Sequence, residues 1–210
     1  IAMAVSVNEL ARKRVHVQDL PAVEVLARVD TVCADKTGTL TEPGMQVQEA
    51  IPLGSVEMSE IEAALGAVAS SQPNANPTLS AIESRFPDPQ WRLTGAIPFS
   101  SARKWSSATF SHKGSWILGA PEMVDPTNHT MLAQSNKSAE TGARVLLLAK
   151  TDAEISTDQP LGEVQCVALV VISQTLRPDA AATVAYFLSQ GVNVKVISGD
   201  NAETVDEIAG

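Results

Sequence analysis

Residues 35–41, Asp-Lys-Thr-Gly-Thr-Leu-Thr, constrain the fold of this chain more than any other stretch of the sequence. They follow residues 29–34, a β-branched and apolar run that predicts a buried strand. The carboxylate of Asp35 is therefore expected where a strand of an α/β sheet opens into a loop. In open parallel sheets, ligands bind at that carboxyl edge.

The residue types in this loop suit a phosphate group. Gly38 lets the backbone approach closely, and Lys36 with the backbone N–H groups supplies positive potential. Threonine hydroxyls at positions 37, 39 and 41 add short polar arms. A carboxylate in such surroundings is suited to act as a nucleophile that takes the phosphoryl group itself. The alternative is an ordinary Thr/Gly turn in which Asp35 only caps a helix.

The heptapeptide resembles the phosphorylation signature of the P-type ATPases, ion pumps that pass through an aspartyl phosphate, and the resemblance covers nearly the whole chain. It implies a haloacid dehalogenase-like (Rossmannoid) α/β phosphorylation domain with a parallel sheet, incomplete in this chain. It also implies an inserted α+β nucleotide-binding domain built on an antiparallel sheet. By the same resemblance, Asp35, Lys36 and Thr37 are catalytic, Thr37 and Gly38 bind phosphate, and the Asp35 carboxylate with the Thr37 carbonyl holds Mg²⁺.

The order of predicted elements fits this organisation. We expect a stalk remnant or helix in residues 1–21, with a helix over 8–18, a split phosphorylation domain in 22–43 and 173–210, and the insert in 44–172. The patterns predict insert helices over 59–70, 77–86 and 131–141, a short one from 119, and strands over 45–51, 93–98, 105–110, 115–118, 144–151 and 163–172. A helix over 178–190 and a buried strand over 192–197 complete a βαβ pattern.

Ser198, Gly199 and Asp200 follow that last strand just as the first loop follows its own strand. Parallel strands would bring both loops to one edge of the sheet. Resemblance to the pumps' Thr-Gly-Asp motif implies that Ser198 and Gly199 hydrogen-bond the transferred phosphate and that Asp200 positions the loop and ATP. The alternative is a turn that caps the next helix.

Residues 174–177, Gln-Thr-Leu-Arg, stand where the pumps usually have Asp-Pro-Pro-Arg. The resemblance implies that Arg177 lies near the nucleotide phosphates; otherwise it is a surface arginine ahead of a helix. Gln174 replaces the acidic residue of the motif.

The nucleotide site is expected in the insert. Residues 98–105 resemble the pumps' Phe-Ser-x-x-x-Lys segment, which implies that Phe99 stacks on adenine, that Ser101 belongs to the site and that Lys104 faces the phosphates. The alternative for Phe99 is a place in the core.

Gly119 and Ala120 match the pumps' Lys-Gly-Ala-Pro-Glu motif, but Leu118 replaces its lysine. Arg144 resembles an arginine that reaches the nucleotide phosphates, or else it is a surface residue. Leu79 replaces the acidic residue that reads adenine. Two such losses in one pocket predict weak ATP binding.

Composition narrows the function classes. A net charge of −9 argues against nucleic-acid binding. Cys33 and Cys166 lie in apolar runs and are expected to be small buried hydrophobes in a reducing compartment. No apolar run approaches the ~20 residues that span a bilayer, so we expect the chain to be soluble. The resemblance to the pumps implies that it is a piece cut from a membrane-embedded parent and that it faces the cytoplasm. Basic residues 12–14 are typical of the cytoplasmic side of a membrane helix, or of a solvated helix face.

Three functions remain to be weighed. Haloacid dehalogenase-type phosphatases carry a second Asp two residues after the nucleophile, where this chain has Thr37, so a long-lived aspartyl phosphate and a pump are favoured. A nucleotide-binding module without turnover is the other alternative, because the pumps' Gly-Asp-Gly-x-Asn-Asp loop would lie beyond Gly210. The transported cation, Ca²⁺ by family analogy, would pass through membrane helices outside this chain; no His-Pro pair of the heavy-metal pumps occurs.

Overall fold

Two separate sheets organise the protein. The computed structural model describes residues 2–19, 21, 24–25, 28–73, 76–139, 142–153, 155–157 and 161–197. In the smaller sheet, β1 (Thr31–Asp35) pairs in parallel with β8 (Asn193–Ile197), which follows helix α6 (Ala180–Ser189). Gly191, with φ +74°, makes the turn between that helix and β8. The predicted parallel α/β arrangement is confirmed.

The side chains of the two strands of this sheet are more exposed to solvent than their apolar sequences predict. Ile197 is 60% exposed, and Cys33 is exposed as well. The expectation that residues 29–34 and 192–197 form buried strands, with Cys33 as a buried hydrophobe, is therefore wrong. A strand is buried when other elements cover both faces of its sheet, and in the part of the chain that the structure describes this sheet has two strands, with α6 packed against β8.

The larger sheet is antiparallel throughout and has six strands. Its spatial order is β2 (Gln46–Pro52), β7 (Gln165–Ser173), β6 (Arg144–Thr151), β5 (Gly114–Gly119), β4 (Trp105–Phe110) and β3 (Leu93–Ile97). An inserted α+β unit on an antiparallel sheet is thus confirmed. The division of the chain into domains at residues 43 and 172 stays a prediction.

Helices cover both faces of the larger sheet. On one face, α2 (Met58–Ser70) and α3 (Pro77–Arg85) pack on a core that includes the fully buried Trp116 and Leu148. On the other face, α4 (Pro121–Val124) and α5 (His129–Ala139) pack on a core that includes Leu147. Adjacent residues of β6 thus serve opposite cores, as the two-residue period of a strand requires.

The first helix, α1 (Ala2–Arg12), ends six residues earlier than the predicted 8–18 helix. Arg14 adopts a left-handed φ of +62°, its N–H donates to Ala11 O at 3.0 Å, and Val15 N–H donates to Leu10 O at 2.9 Å. These are the two hydrogen bonds of a Schellman motif, which terminates the helix. In the described ranges, no helix is both long and apolar enough to span a bilayer.

Two other helix ends differ from the expected ones. Helix α2 begins at Met58, one residue before the predicted bound, because its N-cap is Glu57, whose carbonyl accepts from the N–H groups of Glu60 and Ile61. Phe86 lies just beyond α3 with an extended backbone, although its side chain is buried in the core. The end of the predicted 131–141 helix falls on residues 140–141, outside the described residues, and the observed α5 stops at Ala139.

Candidate functional site

Asp35 is the last residue of β1, and its side chain is exposed at the edge of the parallel sheet. Its Oδ1 accepts a hydrogen bond from Thr37 N–H at 3.4 Å, a long contact that leaves the rest of the carboxylate open. Asp35 therefore does cap the turn that follows, as the simpler alternative expected. Because the carboxylate stays exposed, this capping does not prevent it from meeting a ligand.

The loop after Asp35 contains a type II turn centred on Thr37 and Gly38. Thr37 has φ −74° and ψ 117°, and Gly38 has φ +74° and ψ −4°. A type II turn requires a positive φ at its third position, which explains the glycine. Gly38 N–H donates to Thr41 Oγ1 at 3.1 Å, and Thr41 N–H donates to Lys36 O at 3.1 Å. The loop is thus held by its own hydrogen bonds.

The Lys36 side chain is buried, with 7% of the residue exposed, and does not line the cavity described below. Its catalytic role stays a prediction.

The loop also contacts residues 174–177, which connect the end of β7 in the larger sheet to α6. Glu42 N–H donates to Thr175 O at 2.8 Å, and Arg177 N–H donates to Leu40 O at 2.9 Å. Gln174 Oε1 accepts from Thr41 Oγ1 at 3.2 Å and lies 3.4 Å from Thr37 Oγ1. The two connections between the sheets therefore run side by side at the phosphate loop.

The second predicted phosphate loop, Ser198, Gly199 and Asp200, lies outside the described residues. The chain enters it from Ile197, which is the residue paired with Asp35. The role of these three residues stays a prediction.

A cavity of about 970 Å³ lies between the larger sheet, the start of α3 and the phosphate loop. Six of the seven predicted nucleotide-binding residues line it, together with Thr37; they are Phe99, Ser101, Lys104, Gly119, Ala120 and Arg144. The seventh, Arg177, does not line it, and its Nε lies 3.3 Å from Asp179 Oδ1. One cavity thus reaches from the predicted adenine platform to the predicted phosphate loop.

Phe99 is 48% exposed on the wall of this cavity, so a place in the core does not describe it. An aromatic face left half open is available for a planar ligand. The neighbouring Lys104 carries a left-handed φ of +56°, and its ammonium lies 3.9 Å from the Glu122 carboxylate. Both charged side chains are more than half exposed, so this pair leaves the ammonium accessible to a phosphate.

Gly119 is fixed by a close approach of two chain segments. A Cβ atom on it would lie 2.3 Å from Trp105 Cβ and 2.7 Å from Lys104 O. The next residue, Ala120, donates its N–H to that same Lys104 oxygen at 2.9 Å. The absence of a side chain at position 119 therefore sets where Lys104 stands on the cavity wall.

Arg144 is held in the cavity by a residue that the sequence did not identify. Its Nη1 donates to Thr78 Oγ1 at 2.9 Å, and Thr78 is buried in the first turn of α3. The two residues are 66 positions apart, so no local pattern could pair them. Leu79 and Leu118, which replace two polar residues of the pump motifs, are both buried and both line the cavity.

A magnesium ion would find oxygen donors at the phosphate loop. The Asp35 carboxylate and the carbonyl of Thr37 in the type II turn are hard oxygen ligands of the kind that Mg²⁺ prefers. Within the described ranges, no group of three or more His, Cys, Asp or Glu side chains is placed to hold a metal ion. The donor set fits an ion that is shared with a bound phosphate better than one held by the protein alone.

Comparison with known proteins is informative along the whole chain. Residues 29–210 match the family model described as haloacid dehalogenase-like hydrolase. The calcium-transporting ATPase CtpE of Mycolicibacterium smegmatis is 43% identical over 212 residues, which cover 100% of this chain and 26% of that protein. CtpE of Mycobacterium tuberculosis is 45% identical with the same coverage. The probable cation-transporting ATPase exp7 of Streptococcus pneumoniae is 38% identical, over 99% of this chain and 27% of that protein. The chain spans about a quarter of the length of these relatives.

Solved structures show the same fold. A crystal structure of a zinc-transporting PIB-type ATPase superposes with a TM-score of 0.77 at 23% identity, over 100% of this chain and 32% of that one. A second crystal structure of a zinc-transporting PIB-type ATPase, in a different state, gives a TM-score of 0.71 at 22% identity, over 92% of this chain and 29% of that one.

Proposed function

We propose that this chain, which belongs to the haloacid dehalogenase-like hydrolase family, binds ATP and transfers its γ-phosphate to Asp35 as the catalytic part of a P-type cation pump. The observation that carries the proposal is the cavity, which joins the exposed face of Phe99 to Thr37 of the phosphate loop. Similarity to cation-transporting ATPases over the whole chain supports it.

The base of ATP would stack on Phe99, and the triphosphate would extend past the cations of Lys104 and Arg144 towards the loop. An oxygen of the Asp35 carboxylate attacks the γ-phosphorus in line; the new O–P bond forms as the bond between that phosphorus and the oxygen leaving with ADP breaks. Asp35 and the Thr37 carbonyl would hold Mg²⁺, which neutralises charge on the phosphates. Ser198, Gly199 and Asp200 complete the phosphate site in this proposal.

The fate of the aspartyl phosphate follows from residue 37. A phosphatase would need a carboxylate there to activate water, and the threonine hydroxyl has no basic group to offer. The acyl phosphate therefore persists long enough to serve a change of shape in a larger protein. In the parent, which we place in the cell membrane with this part on the cytoplasmic side, that change would move a cation, with Ca²⁺ as first candidate because CtpE is named for it.

The nucleophile is tested with the full-length protein, [γ-³²P]ATP and an acid quench. Wild-type protein should give an acid-stable, hydroxylamine-sensitive label, and Asp35→Asn should abolish it because an amide cannot attack phosphorus as a carboxylate does. Asp30→Asn, an exposed aspartate just before β1, is the matched control and should label like wild type. Label on Asp35→Asn would contradict the assignment.

Titration of the 210-residue chain with ATP tests the nucleotide site separately. Leu79 and Leu118 line the cavity in place of polar residues, so binding should be weak. A dissociation constant in the low micromolar range would contradict this part of the proposal. Nucleotide binding without any label on wild-type protein would favour the alternative of a binding module without turnover.

A further inference from the structure

We propose that Gln174 is a positioning residue that holds the phosphate loop from the connection between the two sheets; this inference rests on the proposed phosphoryl transfer to Asp35. Gln174 directly follows Ser173, which is the last residue of β7 and pairs with Gln46 at the start of β2. The residues after Gln174 are hydrogen-bonded to the chain between β1 and β2: Thr175 O accepts from Glu42 N–H, and Arg177 N–H donates to Leu40 O. The backbone that carries the Gln174 side chain is therefore fixed on both sides.

From that position the amide oxygen of Gln174 reaches the loop. It lies 3.2 Å from Thr41 Oγ1, and the hydrogen of that hydroxyl can point to it or to Lys36 O, also 3.2 Å away. Thr41 is only 1% exposed, so its hydroxyl depends on protein partners rather than on water. The same hydroxyl accepts the N–H of Gly38 at 3.1 Å. A continuous chain of hydrogen bonds thus runs from the Gln174 side chain through the Thr41 hydroxyl to Gly38 of the type II turn.

A second contact acts on the residue beside that glycine. Thr37 Oγ1 lies 3.4 Å from the same Gln174 oxygen, and both residues line the cavity. Gln174 therefore contacts Thr37 directly and Gly38 through the Thr41 hydroxyl, so it acts on both residues of the Thr37–Gly38 peptide unit, whose carbonyl holds Mg²⁺ in our proposal. Since the reacting atoms of an in-line transfer must be placed within a fraction of an ångström, loosening this peptide unit should slow the transfer.

The amide of Gln174 is suited to hold the phosphate loop because its oxygen accepts hydrogen bonds without carrying a net charge. A carboxylate at position 174 would accept the same two hydrogen bonds, but it would add a negative charge beside the incoming γ-phosphate. Gln174 also belongs to the connection between the sheets, so a shift of the larger sheet relative to β1 would move its oxygen against Thr37 and Thr41. The residue is in a position to make loop geometry depend on how the two sheets are arranged.

The test measures the initial rate of phosphoenzyme formation in full-length protein together with nucleotide affinity. Gln174→Ala should lower the rate about tenfold and leave the ATP dissociation constant within twofold of wild type. Gln165→Ala, the same change at the exposed first residue of β7, is the control and should leave both the rate and the affinity unchanged. Thr41→Val should also slow labelling, and the double variant Gln174→Ala/Thr41→Val should lose less rate than the product of the two single losses, because part of the effect of Gln174 passes through the Thr41 hydroxyl.

A second readout follows the loop directly. In ¹⁵N-labelled 210-residue chain, Gln174→Ala should shift the Gly38 amide resonance, and Gln174→Glu, which keeps the acceptor oxygen, should restore it towards wild type. Three results would overturn the role of Gln174 without touching the proposed function. They are an unaffected rate in Gln174→Ala, equal losses of rate and affinity in that variant, and single-variant rate losses that multiply in the double variant. Absence of label on wild-type protein would overturn the proposed function and this role together.

Discussion

Asp35 lies directly opposite Ile197 in the parallel pair of β1 and β8. The two paired positions are 162 residues apart in sequence. The register supports the proposal that Asp35 and the residues after Ile197 serve one phosphate site, because ligands bind at the carboxyl edge of a parallel sheet.

Gly38 should be needed for its backbone conformation. Its φ is +74°, and a Cβ there would meet no atom within 4 Å, so Gly38→Ala introduces backbone strain of roughly 1–2 kcal/mol without a clash. The variant should therefore form phosphoenzyme at least tenfold more slowly while remaining folded.

Gly191→Ala is a matched control for that change, because Gly191 has the same φ of +74° and the same open surroundings. It should lose a similar amount of stability in urea unfolding and keep its labelling rate. Equal rates for the two variants would show that the type II turn is not part of the site.

Phe99→Ala should weaken ATP binding about tenfold, because stacking of a base on an aromatic ring contributes about 1–3 kcal/mol. Since Phe99 is half exposed, its loss should leave the unfolding midpoint nearly unchanged. Isothermal titration with ATP measures the first effect and urea unfolding the second. Tyr186→Ala removes another exposed ring, on α6, and should bind ATP like wild type; normal affinity in Phe99→Ala would remove Phe99 from the site.

Gly119→Ala should damage both stability and nucleotide binding. The new Cβ would lie 2.3 Å from Trp105 Cβ, so the β4–β5 contact must open, at a cost of about 1–3 kcal/mol. Because Lys104 O lies against the same position, the wall that carries Lys104 should move with it. Gly66→Ala, whose Cβ would lie 2.3 Å from Pro87 O on the side of α2, is the control. It should lose stability to a similar extent but keep its ATP affinity once folded; equal affinity losses would contradict a local role for Gly119.

The two cysteines should differ in reactivity. Burial, and then the hydrogen bond and negative charge of Asp125, raise the pKa of the Cys166 thiol to about 11. The Cys166 thiol of the folded protein therefore keeps its proton at neutral pH and loses it only as the pH rises through about 11. At pH 8 its thiolate fraction should be about 100-fold below that of an ordinary thiol.

Alkylation with iodoacetamide at pH 8, followed by mass spectrometry, should accordingly modify the exposed Cys33 first and leave Cys166 nearly unmodified. In urea both should react at comparable rates. Labelling of Cys166 as fast as Cys33 in the folded chain would contradict the described contact with Asp125.

Much of the fold could be read from local patterns. Strands such as Trp105–Phe110 and Arg144–Thr151 have the predicted bounds, since their apolar and β-branched residues fill both faces of a covered sheet. The parallel pairing of β1 with β8 followed from the strand, helix, strand order near the end of the chain. The bounds of α1 were misjudged, because helix caps depend on the conformation of one or two residues rather than on periodicity.

The sequence by itself determined the candidate residues for the proposed chemistry: a carboxylate, a glycine and threonines in an unbroken run, with an aromatic ring, a lysine and an arginine in the insert. Only the tertiary structure decided how these residues are held. The hydrogen bond from Arg144 to Thr78, the contacts of Gln174 with Thr37 and Thr41, and the exposure of Cys33 all depend on segments far apart along the chain. Local sequence sets what a residue can do, whereas its partners and its exposure are set by packing between distant elements, which no pattern in a single sequence records.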